Sequence, residues 1–101
     1  MTPLSELDKK GLFNAIRAGQ LDVVEYYFKR PINPEIRNQF GWTPLMVAAM
    51  WGRLAIVKLL IKHKANLNAH SNLGMTPLML AELHNQKDVV KLLANKIREI
   101  E

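Results

Sequence analysis

Apolar residues recur at helical spacing in three separate stretches of the chain. Leu7, Leu12, Ala15 and Ile16 form the first set. Ile56, Val57, Leu59 and Leu60 form the second, with Lys58 and Lys62 on the opposite side. Val89, Val90, Leu92, Leu93, Ile97 and Ile100 form the third. Recurrence every three or four residues marks one face of an α-helix. The second set predicts a helix over about residues 54–63. The third predicts a helix from about Lys87 that runs close to the end of the chain, because residues 96–101 contain no turn residue. The longest apolar runs, such as residues 45–51, are far too short to span a bilayer.

Two further helices are announced by a repeated turn. Gly41-Trp42-Thr43-Pro44-Leu45-Met46 returns thirty-three positions later as Gly74-Met75-Thr76-Pro77-Leu78-Met79. Thr43 and Thr76 can cap a helix with their hydroxyls, and Pro44 and Pro77 fit the first helical position, where a missing N–H costs nothing. Ala48 matches Ala81, and residues 56–60 match residues 89–93. Gly52 and Asn85 occupy one repeat position between them. Both residue types enter the left-handed region at low cost, so both sites predict helix stops. One period is therefore a turn, a short helix, a sharp stop and a second helix.

A third, degenerate copy lies upstream. Gly19 falls thirty-three residues before Gly52, and Val23-Val24 falls opposite Ile56-Val57, while Lys10-Gly11 stands where Thr43-Pro44 would be. Ser5, with Asp8 three residues on, predicts the cap of the first helix; Thr2-Pro3 is an alternative start. Tyr26-Tyr27-Phe28 reads as core or cap material. Pro31 forces Arg30 out of the helical region, so the second helix should end at about residue 30. An atypical terminal copy is expected, because one of its faces has no neighbour.

The pattern resembles the ankyrin repeat family, whose period runs Gly-x-Thr-Pro-Leu-His-x-Ala-Ala, then Gly, then an Ile-Val-x-x-Leu-Leu helix, then Gly-Ala-x-x-Asn. The match here runs Gly41 to Ala49, Gly52, Ile56 to Leu60, and Ala65 to Asn68. The resemblance implies an all-α solenoid of three helix-turn-helix repeats joined by short turns. It implies one domain over residues 1–101, with repeats at about 1–37, 38–70 and 71–101. Two departures matter. Met46 and Met79 replace the family's histidine, which turns a hydrogen-bonding site into a flexible apolar contact. Lys64 replaces the glycine that ends the second helix, and a left-handed backbone there would cost about 1 kcal/mol.

Composition narrows the class. Apolar residues make up 49% of 101 residues, too many for a disordered chain. There is no cysteine, which excludes disulfides and cysteine-type zinc sites. The N-terminus has neither a basic nor an apolar signal-peptide region, so a soluble cytoplasmic protein is expected. The net charge of +5 would allow attraction to nucleic acid or anionic membrane. However, Lys29, Lys58, Lys62, Lys64, Lys91 and Lys96 belong to the second helices and have no aromatic residue among them. A nucleic-acid surface would favour the opposite arrangement. The charge thus reads chiefly as solubility.

Catalytic chemistry is not apparent. His63, His70 and His84 are seven and fourteen residues apart, which does not suit a zinc pair on one helical turn. Asp22 and Asp88 share one repeat position in the first turn of a second helix, where a carboxylate complements the helix dipole. Ser5 and Ser71 read as caps or turn residues, and no phosphate loop or paired-carboxylate motif occurs. No metal, cofactor or enzymatic activity is expected.

The resemblance implies partner binding on the concave face, through the turn tips and the last residues of each first helix. Carried over, those places are Arg37, Gln39, Phe40, Trp42, Met50 and Trp51, then His70, Asn72, Leu73, Met75, Leu83 and His84, with Arg17 and Ala18 from the first repeat. Both tryptophans fall in this set, and the set is unusually apolar for solvated positions. Exposed apolar area rimmed by polar groups marks an interaction site, and tryptophan is enriched at binding hot spots. The expected function is non-enzymatic recognition of a protein partner. The alternatives are a homodimer formed through the same face, a designed scaffold or an excerpt of a longer array without a native ligand, and salt-sensitive binding of nucleic acid or membrane by the basic helices.

Overall fold

Each turn motif does what its residues dictate. In the computed structural model, which describes residues 4–100, Thr43 accepts a hydrogen bond from the Met46 N–H at 3.3 Å and Thr76 accepts one from Met79 at 3.2 Å. Pro44 and Pro77 open the helices that follow. Ser5 accepts from the Asp8 N–H at 3.1 Å in the same way. The alternative start at Thr2-Pro3 lies outside the described residues.

Six helices result among the described residues, with no strand: α1 (Glu6–Ala18), α2 (Leu21–Phe28), α3 (Pro44–Met50), α4 (Leu54–Lys62), α5 (Pro77–Leu83) and α6 (Lys87–Glu99). They form three helix pairs stacked side by side. First helices pack on first helices (α1 on α3 on α5), and second helices on second helices (α2 on α4 on α6).

The stops are local and repeat at the atomic level. Gly19, Gly52 and Asn85 sit at φ 76°, 69° and 61°, and Lys64 at φ 66°, all left-handed. Each closes its helix with the paired reverse bonds that such a cap allows. For Gly52 these are Gly52 N–H to Ala49 and Arg53 N–H to Ala48; for Lys64 they are Lys64 N–H to Ile61 and Ala65 N–H to Leu60. Helix α2 stops differently: Lys29 stays right-handed and Pro31 ends the helix by removing the donor. It ends two residues earlier than expected, at Phe28, and α4 ends one earlier, at Lys62.

The core repeats with the same period. Ala15, Ala48 and Ala81 are all buried and let the first helices approach closely. Leu12 and Leu45 lie beneath them, while Val24, Ile56, Val57, Leu60, Val89 and Leu93 seal the second helices. Full burial of each such aliphatic side chain contributes about 1.5–3 kcal/mol. A second cluster of Met46, Met50, Ala69 and Leu80 joins the second and third pairs. Met46 is buried there, and its sulfur accepts the Thr43 N–H at 3.5 Å, so a thioether takes up a donor beside the apolar contact expected of it.

Two expectations need correction. Leu7 is not core but largely exposed, on a stripe of α1 different from the one that Leu12, Ala15 and Ile16 bury. Met50 is not on the exposed concave face but buried, because α5 of the next pair covers the end of α3.

Candidate functional site

The second turn tip, residues 38–42, is built around one side chain. Asn38 accepts from the N–H groups of both Phe40 and Trp42 at 3.0 Å through its Oδ1, and its own N–H donates to the Trp42 carbonyl at 3.0 Å. Gly41 takes the left-handed conformation this closure needs, at φ 80°. The turn projects Phe40 and Trp42 together, with ring centroids 5.2 Å apart and planes tilted by 37°. The third tip uses Ser71 in place of Asn38, accepting from Met75 at 3.1 Å.

The two tips are tied to each other. The Arg37 guanidinium donates from Nη1 to the carbonyls of Gly41 at 2.7 Å and His70 at 2.8 Å, and Asn72 reaches the Phe40 carbonyl at 3.4 Å. These contacts pin the rim on which Phe40 and Trp42 stand. Trp42 also packs against both core clusters, so its ring is half-buried, whereas Phe40 and Trp51 are exposed.

Between this rim and α1 lies a cleft of about 510 Å³. Phe40, Trp42 and Trp51 wall one side, with Gln39 beside them. Leu7, Lys10, Asn14 and Arg17 line the α1 side, and Phe13 and Val47 are among the buried apolar residues beneath. Glu6 and Lys9, at one end, pair with each other at 3.4 Å. Among the described residues, Lys10 and Arg17 form no ion pair. The cleft is therefore aromatic-walled, with a net basic rim.

Of the residues singled out from sequence, Gln39, Phe40, Trp42, Trp51 and Arg17 meet in this cleft. Arg37, His70 and Asn72 lie at the tips, where the Arg37 and Asn72 side chains and the His70 carbonyl take part in the bonds described above. Leu73, Leu83, His84 and Ala18 are exposed elsewhere, and Met75 is half-buried against the methionine cluster. Missed in the sequence were Leu7, Lys10, Phe13 and Asn14. Their signal was legible: Leu7, Lys10, Asn14 and Arg17 recur at three- and four-residue steps, which is a second stripe along α1. The exposed lysines of α4 and α6, Lys58, Lys62 and Lys91, do not line the cleft. Among the described residues no group of three His, Asp or Glu side chains is placed to hold a metal ion, and no helix is long and apolar enough to cross a membrane.

Comparison with known proteins agrees with the stacked-repeat fold. A family model described as ankyrin repeats in three copies matches residues 12–101. Among solved structures, the chain is similar to one from the complex of the predatory endopeptidase Bd0816 of Bdellovibrio bacteriovorus with the immunity protein Bd3460. The TM-score is 0.78 at 38% identity, over 83% of this chain and 44% of that one. The chain thus spans less than half the length of that relative. Among curated proteins, none matches.

Proposed function

Since the chain belongs to the ankyrin-repeat family, we propose that it recognises a protein partner through the cleft between α1 and the second turn tip. The observation that carries this reading is the grouping of Phe40, Trp42 and Trp51 along one wall, opposite Leu7, Lys10 and Arg17 of α1. An aromatic cleft binds by burying an apolar side chain of the partner, and a desolvated aromatic anchor dominates such interfaces. The cationic rim selects a partner whose anchor is flanked by aspartate or glutamate, and it steers the encounter.

In this reading the chain acts as a single three-repeat domain, divided near residues 37 and 70, without catalysis of its own and in the cytoplasm. Its similarity to a chain from an endopeptidase–immunity protein complex supports recognition of a folded protein over a small molecule. That same complex favours a second, narrower reading, in which the partner is an enzyme held by the cleft.

The test is capture of the partner from extracts of the source cells, followed by calorimetric titration of the purified partner. The Phe40→Ala/Trp51→Ala double variant should bind at least about thirtyfold more weakly, as hot-spot truncation of about 2 kcal/mol requires. Equal binding by the parent and the double variant would place the interface elsewhere. Identification of the partner as an enzyme, inhibited on binding, would support the narrower reading.

A further inference from the structure

Lys10 and Arg17 stand seven residues apart on α1, where seven residues return to the same face within about 20°. At the rise of a helix their Cα atoms are about 10.5 Å apart along its axis. Leu7 and Asn14 complete the stripe, and all four side chains are exposed. Leu7 is 80% exposed, more than Phe40 at 56% or Trp51 at 46% across the cleft. Lys9 is matched by Glu6, whereas Lys10 and Arg17 form no ion pair among the described residues. The cleft therefore holds two cations at a fixed axial spacing, facing an aromatic wall. Both walls belong to neighbouring helix pairs, so the site does not depend on what adjoins either edge of the stack.

The main chain around the cleft is already bonded. Asn38 takes up the N–H groups of Phe40 and Trp42 and donates to the Trp42 carbonyl. Arg37 takes the Gly41 carbonyl, and Asn72 reaches that of Phe40. Helix α1 bonds its own backbone, and there is no strand edge among the described residues. An extended segment lodged here would bury N–H and C=O groups that find few partners, which is costly. A helix brings those bonds with it.

Spacing points the same way. On one face of an extended segment side chains recur at about 6.6 and 13.2 Å, on either side of the separation that α1 sets. Residues seven apart on a helix reproduce it, at about 10.5 Å. The cleft, of about 510 Å³, is smaller than a helix of about 10–12 Å diameter laid along this stripe, so it admits the side chains of one face.

We propose that the partner enters this cleft as one amphipathic helix, with two carboxylates seven residues apart on Lys10 and Arg17 and an apolar residue between them against Phe40, Trp42 and Trp51. This rests on the protein-recognition function proposed above and names the element that is recognised. A helix lying along a groove presents anchors three, four and seven residues apart, and the two ion pairs set its register.

The experiment is selection of a displayed library of random peptides of about 16 residues, long enough as helices to overrun the stripe, on the immobilised full chain. Enriched peptides should carry Asp or Glu seven residues apart, with an apolar residue three or four after the first, and should gain helical circular dichroism on binding. Lys10→Glu and Arg17→Glu should each weaken binding about tenfold through like-charge opposition. Lysine at one acidic peptide position should rescue the first variant, and lysine at the other position the second. Peptides that need Phe40 and Trp51 but bind without helix, or that ignore both charge reversals, would overturn this proposal and leave the function of the cleft standing. Peptides that bind Phe40→Ala/Trp51→Ala as well as the parent, or a library that yields no binder, would overturn the reading of the cleft itself and this proposal with it.

Discussion

The Gln86 side chain donates a hydrogen bond from Nε2 to the Met50 carbonyl at 3.0 Å, and thirty-three residues earlier Arg53 donates from Nε to the Arg17 carbonyl at 2.9 Å. Each donor is the residue that enters a second helix, and each acceptor lies at or near the C-terminal end of the preceding pair's first helix, where carbonyls lack helical partners. Two different side chains thus perform one task at one repeat position. The stack is held by this polar clamp as well as by its apolar core.

Removing the clamp should loosen the third pair. Gln86→Ala should lower stability by about 1 kcal/mol, seen as a fall in Tm of about 4–8 °C for a domain of this size. Gln86→Arg should keep most of the stability, because arginine already makes the equivalent bond at position 53. Thermal unfolding of the two variants side by side checks this.

Lys64 should yield to glycine. Its φ of 66° is left-handed, a conformation that costs a residue with a Cβ about 1 kcal/mol. Lys64→Gly should therefore raise stability by up to that amount, less the extra freedom glycine has when unfolded. Asn85→Gly should gain less, since asparagine tolerates the same geometry. Urea denaturation provides the measurement, and a lower midpoint for Lys64→Gly would count against the backbone argument.

Met46 should matter far more than its flexible side chain implies. It is buried between the second and third pairs and also takes up the Thr43 N–H. Met46→Ala should cost about 2–5 kcal/mol by opening a cavity. The loss should appear first as faster amide hydrogen exchange in α5 and α6, the pair that the cavity detaches.

The aromatic wall should divide into structural and recognition parts. Phe40 and Trp51 are exposed, so Phe40→Ala/Trp51→Ala should shift stability by no more than about 1 kcal/mol. Trp42 rests on both core clusters, so Trp42→Ala should destabilise the fold clearly. Urea denaturation of the three alanine substitutions would show the split, and would make the double variant a clean probe of binding.

Much of the fold could be read from residue types, because the determinants were local. The Thr-Pro pairs, the glycines and even Lys64 and Asn85 reveal their backbone conformation by position in the period. The site was legible only in part. Helical spacing on α1 marks where apolar residues recur but not which of its leucines a neighbour covers, so Leu7 read as core. Met50 occupies a position whose exposure depends on the next pair, which lies thirty residues away in sequence. The clamps made by Arg37, Arg53 and Gln86 were invisible for a related reason: their acceptors are main-chain carbonyls, which carry no sequence signal.

The most direct measurement is site-specific photocrosslinking in the cells that make the protein. A photoreactive residue is placed at Gln39, beside the cleft, and in a second variant at Lys58, on the exposed side of α4. The account predicts a discrete protein adduct from position 39, lost when Phe40→Ala/Trp51→Ala is added, and none from position 58. An adduct from position 58 alone, or one from position 39 that survives the double substitution, would contradict recognition through the cleft.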